Sequence, residues 1–218
     1  MALKVDMHVH TMWSGDSTTT PDELAAGVAA SGVDVVCITD HNAIRGAVEL
    51  AASGALGCRV IVGQEVRTTA GEVIGLFLTE RIPFGLKPHE AATHVRDQGG
   101  LVYIPHPFDP MRHCLEVGAL RRLVDGGLVD AIEVINGKTS LDALNAEAAS
   151  FAREFDLAAG AGSDAHVGEA IGAAYAVVGD FTDAASFLTA LRVGATEGGH
   201  FDPPRPWTPR IVPSTKSH

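Results

Sequence analysis

Imidazoles and carboxylates recur in this chain in short clusters: His8-Val9-His10, Ser14-Gly15-Asp16, Asp40-His41, Glu65, His106-Pro107 and Asp164-Ala165-His166. Nitrogen and oxygen donors without thiolates suit Zn, Mn or Fe better than Ca or Mg, whose shells are made of oxygen. In Lys4-Val5-Asp6-Met7-His8-Val9-His10 the apolar residues take odd positions and the polar ones even positions, which is the period of a strand. That alternation puts Asp6, His8 and His10 on one face, pointing into the interior, with Val5, Met7 and Val9 beneath helices. Buried polar groups need partners there, and a cation is one such partner. A lone His-x-His is equally compatible with a solvated strand face, so the weight falls on recurrence.

The elements that would position these residues alternate. Short β-branched runs at Val33 to Thr39, Arg59 to Gly63, Leu101 to Pro105, Asp130 to Ile135, Ala158 to Ser163 and Ala174 to Val178 are separated by helical stretches. This predicts repeated βα units around a parallel sheet. The first helix is marked by Thr20 as cap, Pro21 at the first turn and Glu23 at the capping-box position, and should end near Ser31-Gly32. Helices are also expected at about 43–53, 88–98, 116–125, 140–155 and 182–193, where Ala, Leu, Glu and Arg dominate. Val73 to Leu78 is expected to hairpin onto Val60 to Glu65. His41, Glu65, His106, Asp164 and His166 then fall at or just past carboxyl ends of strands, where barrel and α/β sites are assembled. Asp16, in the loop after His10, reaches the same mouth. With so many donors one ion is too few; two or three divalent cations are expected, and Glu65 is placed to bridge two of them. Two cations at about 3.5–4 Å are a common arrangement for hydrolysing phosphate esters.

The composition sets limits. The chain has 218 residues, 46% of them hydrophobic, and a formal charge of -11, so it is expected to form one globular barrel domain over 1–196. The charge argues against an extended nucleic-acid partner, whose binding depends on displaced counterions. It favours a small phosphorylated substrate. Cys37, Cys58 and Cys114 are odd in number and show no pairing pattern, which fits a reducing cytoplasm. Neither an export signal nor a membrane span is expected, since no run of about 18 apolar residues occurs. The stretch 197–218, with Pro203, Pro204, Pro206, Pro209 and Pro213, is expected to be an extended strap or a disordered tail.

The ordered series His8-Val9-His10-Thr11, Ser14-Gly15-Asp16, Thr39-Asp40-His41, Gly63-Gln64-Glu65, His106-Pro107 and Ser163-Asp164-Ala165-His166 resembles the PHP family, the polymerase and histidinol phosphatase domain. The resemblance spans about residues 3 to 178, and the segment after Asp164 is similar to the extension of small stand-alone members. It implies a distorted (β/α)7 TIM-like barrel with the metal site at the C-terminal ends of the strands, a trinuclear centre and phosphate-ester hydrolysis. Position by position, His8, His10, Asp16, His41, Glu65, His106, Asp164 and His166 match metal ligands, with Glu65, Asp164 and His166 holding the metal-activated water. Many members carry a histidine after the fifth strand. Here Asn136 stands in Ile135-Asn136-Gly137-Lys138, either as a weaker ligand or leaving that position to water.

Arg45, Lys138, Arg112 and His113 follow ligand-bearing strand ends and are the candidates for gripping substrate phosphate. His89 and His94 are spaced five apart on a helix and are expected at the surface. The leading expectation is a phosphoesterase acting on a small phosphomonoester or nucleotide. The alternatives are C–N hydrolysis of the amidohydrolase type, an exonuclease on short oligonucleotides, and a noncatalytic module that keeps its metals as staples. No lysine stands at a predicted strand end among the ligands, which counts against the amidohydrolase type.

Overall fold

The computed structural model describes residues 2–204. In chain order these form β1 (Leu3–Val9), α1 (Pro21–Ser31), β2 (Val35–Ile38), α2 (Arg45–Ser53), β3 (Arg59–Thr68), β4 (Gly71–Leu76), α3 (Pro88–Asp97), β5 (Leu101–Ile104), α4 (Val117–Asp125), β6 (Ala131–Asn136), α5 (Asp142–Glu154), β7 (Ala158–Gly162), β8 (Ala174–Val178), α6 (Ala184–Arg192) and β9 (Ala195–Gly198). The helices begin where the local chemistry calls for them. Thr20 accepts the Glu23 backbone N–H while the Glu23 side chain reaches back to Thr20, with Pro21 in the first turn. None of the described helices is long and apolar enough to cross a membrane.

Each strand pairs with the next, and β1 also pairs with β8, so eight strands close into a barrel with β9 on the outer side of β8. The pairings β1–β2, β2–β3, β5–β6 and β6–β7 are parallel. β4 runs against both β3 and β5, as the expected hairpin requires, and β8 runs against β7, β1 and β9. The expectation that Ala174 to Val178 continues the parallel βα series is therefore corrected: with only residues 163–173 between β7 and β8, no crossover helix brings the chain back to the start of a parallel strand. These two reversed strands distort an otherwise TIM-like barrel.

The barrel interior is a single apolar cluster to which all eight strands contribute, among them Met7, Cys37, Ile61, Ile74, Tyr103 and Ala176. Phe181, with Phe187 and Leu191 from α6, joins it and plugs the amino-terminal end of the barrel. Phe187 is fully buried, so truncating it to Ala should cost about 3–5 kcal/mol. Two outer clusters pack helices on the sheet: α1 and α2 cover Val9, Val36 and Ile38, while α3, α4 and α5 cover Val102, Ile104 and Ile132.

Strict alternation in β1 does not hold. Asp6 pairs with Val36 but Val9 pairs with Ile38, so β1 carries one extra residue against β2. This bulge shifts the phase of every later side chain. Val5 and Met7 lie in the interior cluster, contrary to the expected helix-facing placement, while Val9 joins the outer cluster. Asp6 is separated from the histidines: its carboxylate accepts backbone N–H groups from Ser163 (2.9 Å), Gly172 (2.8 Å) and His8 (3.3 Å). A second bulge lies in β6, where Glu133 pairs with Gly160 and Ile135 with Ala161.

β9 runs antiparallel to β8, and the chain continues beyond it to Gly137, whose carbonyl accepts the Phe201 N–H at 2.8 Å. Pro203 and Pro204 are described; Pro206, Pro209 and Pro213 lie outside the described residues.

Candidate metal centre

The bulge in β1 delivers His8 and His10 to one buried point at the carboxyl end of the barrel, their Nε2 atoms 3.0 Å apart. Glu65, on β3, meets them with Oε2 at 3.4 Å from His8 and 3.2 Å from His10. The same oxygen lies 3.1 Å from His41 Nδ1, and Oε1 lies 3.0 Å from His106 Nε2. One carboxylate thus faces four imidazoles. Asp164, just past β7, brings Oδ1 to 3.8 Å from His8 Nε2 and 3.4 Å from His10 Nε2. Asp16 Oδ2 is 2.9 Å from His166 Nε2 and 3.3 Å from His41 Nε2. Asp16 is oriented by Ser14, whose hydroxyl donates to it at 2.9 Å.

Four groups each place one ligand atom per residue within 4.8 Å of one another: His10, Asp16, His41 and His166; His8, His10 and Glu65; His8, His106 and Asp164; His41, Glu65 and Glu72. All eight residues named as ligands from the sequence are brought together. Asn136 is placed differently. Its Oδ1 accepts the N–H groups of Lys138 (2.9 Å) and Thr139 (3.1 Å), and its Nδ2 donates to Glu133 at 2.8 Å, so the carboxamide is committed to the turn after β6.

Charge alternates through the cluster. Burial works against charged His8, but Asp164, Glu65 and Glu133 outweigh it and hold its pKa well above the usual imidazole range. Burial likewise opposes charge on His10, and hydrogen bonds to Asp164 and Glu65 raise it to about 9. Burial would raise Glu65 and Asp164; His41 and His8 around the first, and Lys138 and His8 around the second, pull both well below the usual carboxylate range. His166 is pushed down to about 3 by burial and by the nearby charge of His10. Such a pocket concentrates negative field on a few nitrogens and holds protons where a cation would otherwise stand. The buried His106 Nδ1 has no hydrogen-bond partner, and His41 Nδ1 meets Glu65 and Glu72 as close neighbours but without hydrogen-bond geometry. Nitrogen and oxygen donors in overlapping groups, with ring atoms left unsatisfied, fit divalent cations.

Two of the candidate ligand positions carry backbone strain. His106 and Asp164 have φ of 29° and 53°, in the left-handed region that non-glycine residues seldom occupy. β7, with the sequence Ala158-Ala-Gly-Ala-Gly162, stays thin so that β1 and β6 can close over it. A Cβ on Gly162 would collide with the Cβ of His8 and stand 2.7 Å from the His8 nitrogen.

Of the candidate phosphate-gripping residues, Lys138 is buried with Nζ 3.3 Å from Asp164 Oδ1 and against the His166 ring. This corrects the expectation that no lysine stands among the ligands: Lys138 lies two residues beyond β6, and the turn folds it back. Arg112 donates to the Lys138 carbonyl at 3.3 Å, and its buried Nε has no partner. Arg45 is exposed and bound to Glu49 at 2.6 Å, and His113 is exposed. His89 and His94 are exposed on α3.

Sequence reasoning missed Glu72 and Glu133. Glu72, on β4, is 3.6 Å from His41 Nδ1 and 3.7 Å from His106 Nε2. Each is a lone acid in an apolar strand, Glu72-Val-Ile and Ile132-Glu-Val, and a charge that would be buried without a partner is the signal that could have found it.

Comparison with known proteins agrees with this geometry. The PHP domain model matches residues 6–106, and the PHP-associated model matches residues 143–196. A protein of Methanocaldococcus jannaschii is 41% identical over 145 residues, covering 62% of this chain and 82% of the relative. A two-domain protein of Bacteroides vulgatus, described as containing a predicted PHP-like metal-dependent phosphoesterase, superposes with a TM-score of 0.73 at 20% identity. That match covers 91% of this chain, which spans 65% of the length of the Bacteroides protein. An amidohydrolase from Chromobacterium violaceum, solved with bound sulfate, superposes with a TM-score of 0.62 at 19% identity, over 77% of this chain and 89% of its own. The ordered ligand motifs, the barrel that gathers them and the two family models agree: this chain belongs to the PHP family.

Proposed function

We propose that the chain is a metal-dependent phosphoesterase that hydrolyses a small phosphomonoester or nucleotide at a centre of two or three Zn, Mn or Fe ions. The observation that carries this reading is Glu65, whose two oxygens address different ligand groups, His8, His10 and His41 on one side and His106 on the other. A carboxylate shared between ligand groups in this way would serve more than one cation, as phosphoryl-transfer centres require. When bound, such cations supply Lewis acidity toward the phosphoryl oxygens and lower the pKa of water.

The chain's own residues do the rest. The four overlapping groups, His8, His10 and Glu65; His8, His106 and Asp164; His10, Asp16, His41 and His166; and His41, Glu65 and Glu72, would between them hold two or three cations. Glu65, Asp164 and His166 would hold the attacking water at the cluster. Lys138 Nζ and the Arg112 guanidinium stand on one flank of the cluster, where charge-assisted hydrogen bonds would grip the phosphoryl oxygens. The exposed Arg45 and His113 can serve only the outer part of a substrate.

One observation favours C–N hydrolysis as a second reading. The buried Lys138 amine beside Asp164 and His166 resembles the lysine that amidohydrolase sites carbamylate, and one structural neighbour is named an amidohydrolase. The deciding assay supplies Mn or Zn and compares phosphomonoesters, nucleotides and short oligonucleotides with cyclic amides. Phosphate release from small esters is the expected result; turnover of amides alone would overturn the proposal.

A further inference from the structure

We infer that Glu133 is the positioning residue of the centre, its one carboxylate orienting the ring of His8 and the backbone of His106 so that both face the cluster. This rests on the metal-centre reading but is independent of the substrate. Glu133 lies on β6, fully buried among apolar neighbours, and belongs to none of the four groups of candidate ligands. Isolated there, a carboxylate would be costly, so its oxygens must be filled.

Four donors fill them. Oε1 lies 3.2 Å from His8 Nδ1 and accepts the Tyr103 hydroxyl at 3.1 Å. Oε2 accepts the His106 backbone N–H at 2.7 Å and Asn136 Nδ2 at 2.8 Å. A glutamine cannot replace this, because its amide nitrogen would meet two donors whichever way it turned.

The consequence for His8 follows from the ring. With Nδ1–H directed at Glu133, the lone pair of the ligand form sits on Nε2, the atom that faces His10, Glu65 and Asp164. For His106 the bond acts on the main chain. Its φ of 29° is a strained conformation, and the short N–H bond to Glu133 pins it while Nε2 reaches Glu65 at 3.0 Å. Glu133 thereby ties a ligand after β5 to a ligand on β1. The β6 bulge makes this possible by letting Glu133 and Asn136, three residues apart, point inward together. Gly162 leaves the space, since a Cβ there would stand 2.8 Å from Glu133 Oε1.

The test uses the full chain, stripped of metal and titrated with zinc by calorimetry, together with nitrogen NMR of labelled histidines. Glu133→Gln should weaken zinc binding about 10- to 100-fold and remove the Nδ1–H signature of His8. Tyr103→Phe should cost less, because His8 keeps its acceptor. Unchanged affinity and tautomer in Glu133→Gln would overturn the assignment while leaving the metal centre intact. If that variant fails to fold, the zinc-loaded wild type decides: Nδ1–H with zinc on Nε2 supports the assignment, and the opposite tautomer overturns it. A wild type that takes up no zinc removes the metal centre and this inference together.

Discussion

Replacing Gly162 with alanine adds a single methyl group at the most crowded point of the barrel. The new Cβ would lie 2.7 Å from the His8 nitrogen and 2.8 Å from Glu133 Oε1, whereas ordinary van der Waals contact begins at 3.4 Å. The tightest contact is with the His8 Cβ, so β1 must retreat from β7 by about 1 Å, and neither the His8 backbone nor the Cβ bonded to it can swing aside as the end of a side chain can. Overpacking of this kind costs about 3 kcal/mol, which for a domain of this size lowers Tm by about 6–12 °C. The displacement falls on His8, so zinc affinity should drop at least about 10-fold as well. Gly160→Ala is the control. Its Cβ meets the Tyr103 ring at 2.6 Å and the Met7 thioether at 3.0 Å, below the ligands. The obstacles there are side-chain ends rather than backbone, so the cost should be about 1–2 kcal/mol, and because only the Tyr103 bond to Glu133 is disturbed the loss of zinc affinity should be smaller than in Gly162→Ala. Calorimetric melting with chelator present reads the packing cost, and zinc titration reads the ligand shift. Gly162→Ala with a Tm within about 2 °C of wild type and unchanged zinc affinity would refute the close approach of β1, β6 and β7.

Asp164→Ala and His8→Ala should each lower hydrolysis by about 100-fold or more, while His89→Ala and His94→Ala on the exposed face of α3 leave it nearly unchanged; equal losses in both pairs would count against the site. Asp6→Ala strands two buried backbone N–H groups and a half-buried one and should cost about 3–5 kcal/mol in urea denaturation of the metal-free chain, a loss under about 1 kcal/mol speaking against the Asp6 anchor. Asn136→His should destabilise the turn after β6 without adding a bound metal, because the carboxamide it replaces is engaged with Lys138, Thr139 and Glu133; an extra equivalent by elemental analysis would contradict this. Cations must displace protons held on His8 and His10, so zinc affinity should rise with pH up to about 9, with proton release detected by calorimetry in buffers of different ionisation enthalpy. Affinity that is flat with pH would mean those rings are already neutral.

Much of this molecule is decided locally and could be read from the chain. Thr20-Pro21-Asp22-Glu23 starts a helix through its own hydrogen bonds, and the β-branched runs at 35–38, 101–104 and 131–136 form strands wherever a sheet will accept them. His41 follows one such run and His106 another, so chain order alone placed them at strand ends, while Asp164 and His166 follow the small-residue strand β7. What a strand does with its neighbours is different. The phase of β1 could not be read from its perfect alternation, because the bulge that turns Met7 and His8 inward together arises from hydrogen bonding to β2, a strand distant in the sequence, between the pairings Asp6 to Val36 and Val9 to Ile38. Glu72 and Glu133 are single acids in apolar strands, and only closure of the barrel sets them against the imidazoles of His41, His106 and His8. The placements of Lys138 and Asn136 depend on the tertiary structure for the same reason. Residue type fixes which atoms can donate or accept, but a turn three residues long can send a lysine into the cluster and fold an amide onto its own backbone, and the packing of β6 against β7 selects which one enters.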